Sequence, residues 1–137
     1  APSAVAAALS DADRQGEVPL HKFFRTASLL RALLDAGANV DVQDSNGRTP
    51  LFMASEGHID SVRVLLEAGA NANLQDKNGV APLHVAALLG EPEVVRMLLD
   101  AGARKDLRNS QGKLPRERVC VGRNNQHKAE IEAMLSM

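Results

Sequence analysis

Few side chains in this sequence could do chemistry, and they are spread along the chain. The histidines are His21, His58, His84 and His127, and none has metal-ligand spacing to another histidine or to the single cysteine, Cys120. Arginines near Cys120 in the sequence would favour a reactive thiolate, but no histidine or carboxylate pattern accompanies it. There is no glycine-rich phosphate loop and no paired-carboxylate spacing. We therefore predict no catalytic residue, no metal site and no cofactor.

The composition argues against two classes of partner. The 137 residues have a formal net charge of −1 and contain no Trp or Tyr and only three Phe. Because both a positive field and aromatic platforms for base stacking are missing, nucleic-acid binding is disfavoured. No apolar run approaches the length of a membrane span. A single cysteine cannot form an internal disulfide, so we expect an intracellular protein, cytoplasmic or nuclear.

One sequence segment occurs twice in the chain, and the elements that it forms must position these side chains. Residues 44–51, DSNGRTPL, return 32 positions later as residues 76–83, DKNGVAPL. Each copy predicts a tight Asn-Gly turn, held by the carboxylate of the leading aspartate, and then a helix that begins at proline. A second helix follows, with apolar residues at i, i+3 and i+4, and it ends at a glycine. A period near 33 residues indicates a solenoid repeat.

Residues 49–51, Thr-Pro-Leu, and residues 82–86, Pro-Leu-His-Val-Ala, resemble the ankyrin-repeat motif. The resemblance implies an all-α helix–turn–helix solenoid, with β-hairpin-like turns between repeats and a single domain over residues 1–137. We expect four repeats, of which the first and last are atypical because one face of each meets water. Their expected boundaries are about residues 3–43, 44–75, 76–108 and 109–137.

The first repeat is predicted by aligning Gly16 with Gly57, the glycine between the two helices of the next repeat. This alignment predicts helices at about residues 3–13 and 23–36. It also leaves about nine extra residues in the first repeat, relative to the repeat template.

The other repeats also depart from the pattern. The first helix after Pro50 is one residue shorter than the helix after Pro82. In the fourth repeat Arg116 stands where the family places a buried leucine, and the loop 122–126 carries the extra residues. The family alignment places Cys120 at a buried position of a first helix, so we interpret this cysteine as structural.

In the family, a threonine and a histidine three residues later commonly share a hydrogen bond. Here Thr49 is followed by Phe52, and Ala81 is followed by His84, so each inner repeat keeps one partner. We expect each missing bond to lower stability by about 1 kcal/mol. The apolar triplets of the second helices should form a buried seam, consisting of Leu30, Leu33, Leu34, Val62, Leu65, Leu66, Val95, Leu98, Leu99, Ile131 and Leu135.

The resemblance implies a non-catalytic, monomeric module that binds another protein or peptide through its turn tips and the inner face of its first helices. The expected contact residues are Asn46, Arg48, Glu56, Asn78, Val80, Leu88, Leu89, Gln111, Lys113 and Arg118. Two interpretations of the leucines stay open: both face the groove, or Leu89 packs on the neighbouring helix and only Leu88 is exposed. The alternative function, suggested by the missing initial Met, is a regulatory or targeting segment of a larger enzyme whose catalytic domain is absent from this chain.

Charge is unevenly distributed along the sequence. Residues 104–128 contain eight basic and two acidic side chains, a net charge of +6. Two explanations fit this segment. The basic residues form the solvated face of a terminal repeat, or they attract an acidic partner that docks across the last repeat.

Overall fold

The computed structural model describes residues 16, 19–120 and 126–136. Within these residues there are no strands. The helices, in chain order, are α1 (Pro19–Lys22), α2 (Ala27–Asp35), α3 (Pro50–Ala54), α4 (Ile59–Glu67), α5 (Pro82–Leu89), α6 (Pro92–Asp100), a 3₁₀ helix (Pro115–Arg118) and α7 (Lys128–Leu135). The predicted helix at 3–13 lies outside the described residues, and the division into four repeats stays a prediction.

The helices stack in two rows. The first row contains α1, α3, α5 and the 3₁₀ helix, and the second row contains α2, α4, α6 and α7. Each helix packs on its neighbours within the row and on one helix of the other row. This arrangement confirms the predicted all-α solenoid, in which a helix pair buries its apolar face only by stacking against the next pair.

The core runs along the contact between the two rows. Seven of the predicted seam residues are at most 2% exposed: Leu30, Val62, Leu65, Val95, Leu98, Ile131 and Leu135. The other four are partly buried and pack against that core: Leu33, Leu34, Leu66 and Leu99. The first row contributes Leu20, Leu51 and Leu83, each at most 1% exposed. The i, i+3, i+4 spacing thus located the seam, with the partly buried leucines at its edge.

Aspartate side chains build the turns between repeats, as the sequence predicts. Oδ1 of Asp44 accepts hydrogen bonds from the backbone N–H groups of Asn46 and Arg48, both at 2.9 Å. Asp76 forms the same two bonds in the next turn, and Asn109 forms them in the last. Consecutive turn tips are also joined through the backbone, because Lys77 N–H donates to the Asn46 carbonyl and Ser110 N–H donates to the Asn78 carbonyl.

The glycines of the first three turns, Gly16, Gly47 and Gly79, lie against the backbone of the next turn. A Cβ atom on Gly47 would lie 3.1 Å from Asp76 Cα, and one on Gly16 would lie 2.6 Å from the Ser45 nitrogen. Gly16 is therefore equivalent to Gly47, and its predicted alignment with the inter-helix Gly57 is wrong.

This correction removes the nine extra residues predicted for the first repeat. Pro19 begins α1 three residues after Gly16, just as Pro50 begins α3 three residues after Gly47. The second helix of this repeat begins at Ala27 rather than at the predicted Phe23, since residues 23–25 form the turn that follows α1.

The first helices of the second and fourth repeats are short. Helix α3 has five residues and α5 has eight, so the difference is larger than the single deleted residue predicts. Ser55 follows α3 and is buried, and its hydroxyl donates to the Leu51 carbonyl at 2.7 Å. Such side-chain bonds to the preceding turn compete with helix continuation.

In the fourth repeat, four residues of 3₁₀ helix replace the first α-helix, and Arg116 is exposed on it. Cys120 is buried as predicted, at 2% exposure, but it follows the 3₁₀ helix in a left-handed conformation with φ of 53°. Its N–H donates to the Ala87 carbonyl at 3.0 Å, which holds this segment against α5. The predicted helical position of Cys120 is therefore wrong, because the 3₁₀ helix has already ended at Arg118.

Candidate functional site

A groove of about 610 Å³ lies beside α5. Its wall contains eight of the ten predicted contact residues, namely Arg48, Glu56, Asn78, Val80, Leu88, Leu89, Gln111 and Arg118. These residues come from the second, third and fourth repeats, which the stacking of the first row brings side by side. The groove is therefore a product of the repeat array and not of any single repeat.

Helix α5 stands between two shorter neighbours in the first row. Its last residues, Leu88 and Leu89, extend past the five-residue α3 on one side and the four-residue 3₁₀ helix on the other. Both leucines are partly buried and both line the groove. The interpretation that both face the groove agrees with this arrangement, whereas the one with only Leu88 exposed does not, because both leucines line the groove and both are partly buried.

Further apolar side chains line the groove. Phe52 from α3 is partly buried, and Val85 from α5 is 8% exposed. Together with Val80 and Leu88 they give the groove an apolar patch bounded by polar turn tips. A pocket of this composition suits an apolar side chain whose backbone is held by polar neighbours.

Two arginines line the groove, Arg48 from a turn tip and Arg118 from the end of the 3₁₀ helix. Cζ of Arg48 lies 5.7 Å from the centroid of the Phe52 ring, a cation–π distance. Nη1 of Arg118 donates to Oε1 of Gln111 at 3.3 Å. Glu56, which follows α3, is the acidic residue of the described groove wall. The groove wall thus carries two guanidinium groups, one before α3 and one at the end of the 3₁₀ helix, and its carboxylate lies beyond the other end of α3.

His84 fixes the base of the groove by joining the third repeat to the fourth. Its Nδ1 accepts the Ala81 N–H at 3.1 Å, so the ring proton is on Nε2, which donates to the Lys113 carbonyl at 3.0 Å. Burial lowers the pKa of His84, although the bond to Lys113 partly opposes this effect. Nε2 of His21 lies 2.9 Å from the Arg48 carbonyl oxygen, which links the first repeat to the second in the same way.

In the second and fourth repeats, other side chains form part of this hydrogen-bonding arrangement. Oγ1 of Thr49 accepts the Phe52 N–H at 3.1 Å and caps α3. In the fourth repeat Glu117 takes the place of the histidine, and its carboxylate accepts the Leu114 N–H at 2.6 Å. That bond is the main reason why the pKa of Glu117 is lowered, and nearby cations including Lys113 add to it. Each repeat therefore keeps part of the threonine–histidine arrangement.

Two predicted contact residues, Asn46 and Lys113, lie outside the groove wall. Both are exposed, and each uses its backbone carbonyl to join neighbouring repeats. The Asn46 carbonyl accepts the Lys77 N–H, and the Lys113 carbonyl accepts from His84. Their observed contacts are therefore structural, while their side chains remain on the surface.

The described part of the chain contains neither a metal-ligand cluster nor a helix that could span a membrane. No group of three His, Cys, Asp or Glu side chains in residues 16, 19–120 and 126–136 could hold a metal ion. No helix among these residues is long and apolar enough to cross a bilayer. The groove combines apolar contacts, side-chain amides and guanidinium groups, which are the chemistry of polypeptide recognition.

Comparison with known families agrees with this arrangement. The sequence matches a model described as ankyrin repeats, in three copies, over residues 3–76 and 23–109. The chain belongs to the ankyrin-repeat family. No curated protein matches it significantly. Ankyrin repeats are generally protein–protein interaction modules and typically have no catalytic activity.

Five further residues line the groove of this ankyrin domain, and the sequence pattern did not predict them: Phe52, His84, Val85, Asn109 and Ser110. The repeat register could have found Asn109 and Ser110, since they are equivalent to Asp76 and Lys77 of the preceding turn. Phe52 and Val85 look like core residues in the sequence. Only the lateral spacing of the ankyrin repeats exposes one side of each.

Proposed function

We propose that this ankyrin-repeat chain is a non-catalytic module that binds a segment of another protein in the groove beside α5. The observation that carries the proposal is the convergence of eight expected contact residues, from three repeats, on one groove. The family resemblance selected these residues by their positions at the turn tips and on the inner face of the first helices. A folded array that brings them together supports a shared contact surface.

Leu88 and Leu89 are the best candidates for apolar anchors. They are partly buried at the end of α5, so a partner side chain would complete their removal from water. Removing apolar surface from water contributes roughly 25 cal/mol per Å². The side chains of Asn78 and Gln111 stand at the turn-tip edge, where they can hydrogen-bond the partner's backbone.

The test compares a groove variant with a matched variant elsewhere. Leu88→Ser removes a groove leucine, and Leu29→Ser removes a leucine that is 37% exposed on α2 and does not line the groove. Wild type and both variants are used to capture binding proteins, and captured partners are titrated in purified form. We expect Leu88→Ser to weaken binding by more than about 1 kcal/mol, as an interface anchor does, and Leu29→Ser to leave it unchanged.

Thermal unfolding of the two variants separates binding from stability. The proposal expects Leu88→Ser to melt close to wild type, because the leucine is only partly buried. If Leu88→Ser binds as wild type does, the groove is not the contact surface. If it unfolds without a separate binding defect, Leu88 belongs to the core and the proposal is wrong.

We also propose that the module acts as a monomer inside the cell. The single cysteine is buried, so the described fold uses no disulfide and needs no oxidising compartment. Analytical ultracentrifugation at increasing protein concentration should show one species near 14.6 kDa. A concentration-dependent increase in mass would contradict the monomer.

A further inference from the structure

The arginines on the second-row helices differ from those in the groove. Those on the second-row helices each lie beside a carboxylate, at 2.9–3.2 Å, in the pairs Arg31–Glu67, Arg63–Asp60 and Arg96–Glu130. The groove arginines, Arg48 and Arg118, form no ion pair with any carboxylate of the described residues. The second-row arginines are therefore compensated by carboxylates, whereas the groove arginines are not. Among the described residues outside the groove, Arg25, Arg108 and Arg116 form no ion pair either.

Neutral groups hold the two groove arginines in place. Arg48 lies over the Phe52 ring, and Arg118 donates to the Gln111 amide. Neither contact neutralises the positive charge, and each restricts a long side chain that would otherwise lose its freedom on binding. A carboxylate that arrived at this edge would find oriented guanidinium donors, which bind carboxylates in planar, two-point geometry.

The acidic residue of the groove wall sets the polarity. Glu56 lies beyond the end of α3, away from the turn tips that carry Arg48 and Gln111. A partner carboxylate near Glu56 would be repelled, whereas one at the turn-tip edge would be attracted. The groove can therefore distinguish which edge of a bound segment carries the negative charge.

The repeat spacing gives the distance between the two positive positions. Arg48 belongs to the second repeat and Arg118 to the fourth, and packed helices lie about 8–10 Å apart. Two such steps place the repeats that carry the two arginines roughly 16–20 Å apart along the stack. An extended chain advances about 3.3 Å per residue, so about five or six residues span that distance.

We propose that the groove binds an extended acidic segment of a partner protein, with two carboxylates about six residues apart at Arg48 and Arg118, an even spacing that keeps both side chains on the same face of the segment. A leucine-sized side chain between them packs on Phe52, Val85 and Leu88. This inference rests on the proposed function and adds the chemistry of the partner. Of the basic segment 104–128, the proposal uses only Arg118, and it adds Arg48 from outside that segment.

The experiment selects ligands from a random library, so the natural partner need not be identified first. Random displayed peptides are selected on the wild-type domain, and each enriched peptide is resynthesised and titrated by fluorescence anisotropy. Peptides that bind in the groove are those whose affinity falls with Leu88→Ser. We expect these to carry two acidic residues at the stated spacing around an apolar residue, and we expect their affinity to weaken as salt rises.

The charge variants then test the two arginines. Arg48→Gln with Arg118→Gln should weaken the selected peptides at least about tenfold and flatten the salt dependence. Arg48→Glu with Arg118→Glu should turn the selection toward basic peptides. Arg63→Gln, on the second row, is the control and should bind as wild type does. Because these side chains are on the surface, the glutamine variants should keep the wild-type melting temperature and remain testable if the glutamate pair does not fold.

The outcomes separate this inference from the function on which it rests. The inference of an acidic segment is wrong if the peptides that depend on Leu88 contain no carboxylates. It is also wrong if acidic peptides bind equally well to the Arg48→Gln, Arg118→Gln variant. In both cases the groove is still a binding site. A selection that yields no Leu88-dependent peptide overturns both. The inference is also wrong if single-stranded RNA binds more tightly than every selected peptide and this binding depends on the two arginines.

Discussion

Replacing His84 by phenylalanine tests the hydrogen bonds that join the third repeat to the fourth. Phenylalanine has a similar size, and it occupies the equivalent position, Phe52, in the second repeat. The change leaves the Ala81 N–H, in a residue that is 1% exposed, without its acceptor. It also removes the donor to the Lys113 carbonyl, which belongs to an exposed residue that water can reach.

The two losses have different sizes. A buried N–H left without a partner costs about 1–3 kcal/mol, whereas losing an ordinary hydrogen bond at an accessible carbonyl costs about 0.5–1.5 kcal/mol. We therefore expect His84→Phe to lower the free energy of unfolding by about 2–4 kcal/mol. Urea unfolding followed by circular dichroism measures this difference, provided that the denaturant dependence of the free energy is unchanged.

A matched control is His127→Phe, because His127 is partly exposed and makes no side-chain cap at the start of α7. It should cost at most about 0.5 kcal/mol, as ordinary surface changes do. If His84→Phe were equally mild, the hydrogen bonds of His84 would not hold the repeats together. The account of this interface would then be refuted.

The pH dependence gives an independent test of the same histidine. Burial lowers the pKa of His84 in the folded state, so the unfolded chain binds its proton first as the pH falls. The stabilisation by neutral His84 is complete above the unfolded pKa of about 6.5 and is lost as the pH falls toward the folded pKa. The stability difference between wild type and His84→Phe should therefore shrink on acidification, and a constant difference would contradict the assigned tautomer.

Three further substitutions test the stack. Leu65→Ala, at a residue that is 0% exposed, should cost about 2–5 kcal/mol in urea unfolding, and a loss below about half a kcal/mol would contradict the core position. Gly79→Ala should lower the free energy of unfolding more than Gly112→Ala. Both glycines have positive φ, but a Cβ on Gly79 would lie 3.0 Å from the backbone of the next turn, whereas a Cβ on Gly112 would have no atom within 4 Å. Equal losses of stability would argue against stacked turn tips. Ala81→Thr should raise stability by about 1 kcal/mol by adding a hydroxyl cap, and calorimetry showing a lower melting temperature would contradict this.

Local chemistry made the turns predictable from the sequence. Asp44 and Asp76 precede Asn-Gly pairs, and the side chain of each bonds two backbone N–H groups within its own turn. The start of α3 at Pro50 also followed from local preference, because proline lacks the N–H that would be unsatisfied there. Interactions within a few residues of sequence are fully visible in the sequence.

The first repeat was misaligned because α1 has only four residues, too few for a helical period. Pro19 and His21 mark this segment as the first helix of a repeat, but aligning Gly16 with Gly57 treats the segment as a loop. The helical position of Cys120 in the fourth repeat was mispredicted for a similar reason, since the first helix of that repeat is reduced to a short 3₁₀ segment. In both places neighbouring repeats, rather than local propensity, determine the structure.

Most of the residues that line the groove could be predicted from the sequence, but the shape of the groove could not. Repeat position identified Arg48, Leu88 and Arg118 as surface groups, but their meeting at one groove depends on how the first row stacks. The lateral spacing of helices is a property of packing across repeats that lie about 33 residues apart. No local pattern encodes it, and for the same reason Phe52 and Val85 were missed.

Hydrogen–deuterium exchange of the domain, with and without a bound partner segment, tests the central claim most directly. Binding in the groove should slow exchange in residues 46–56, 78–89 and 109–118, because these residues carry its wall. Exchange in α4 and α6, on the second row, should stay unchanged. Protection confined to α4 and α6, with none at the turn tips or at the end of α5, would show that the partner binds elsewhere and would contradict the account.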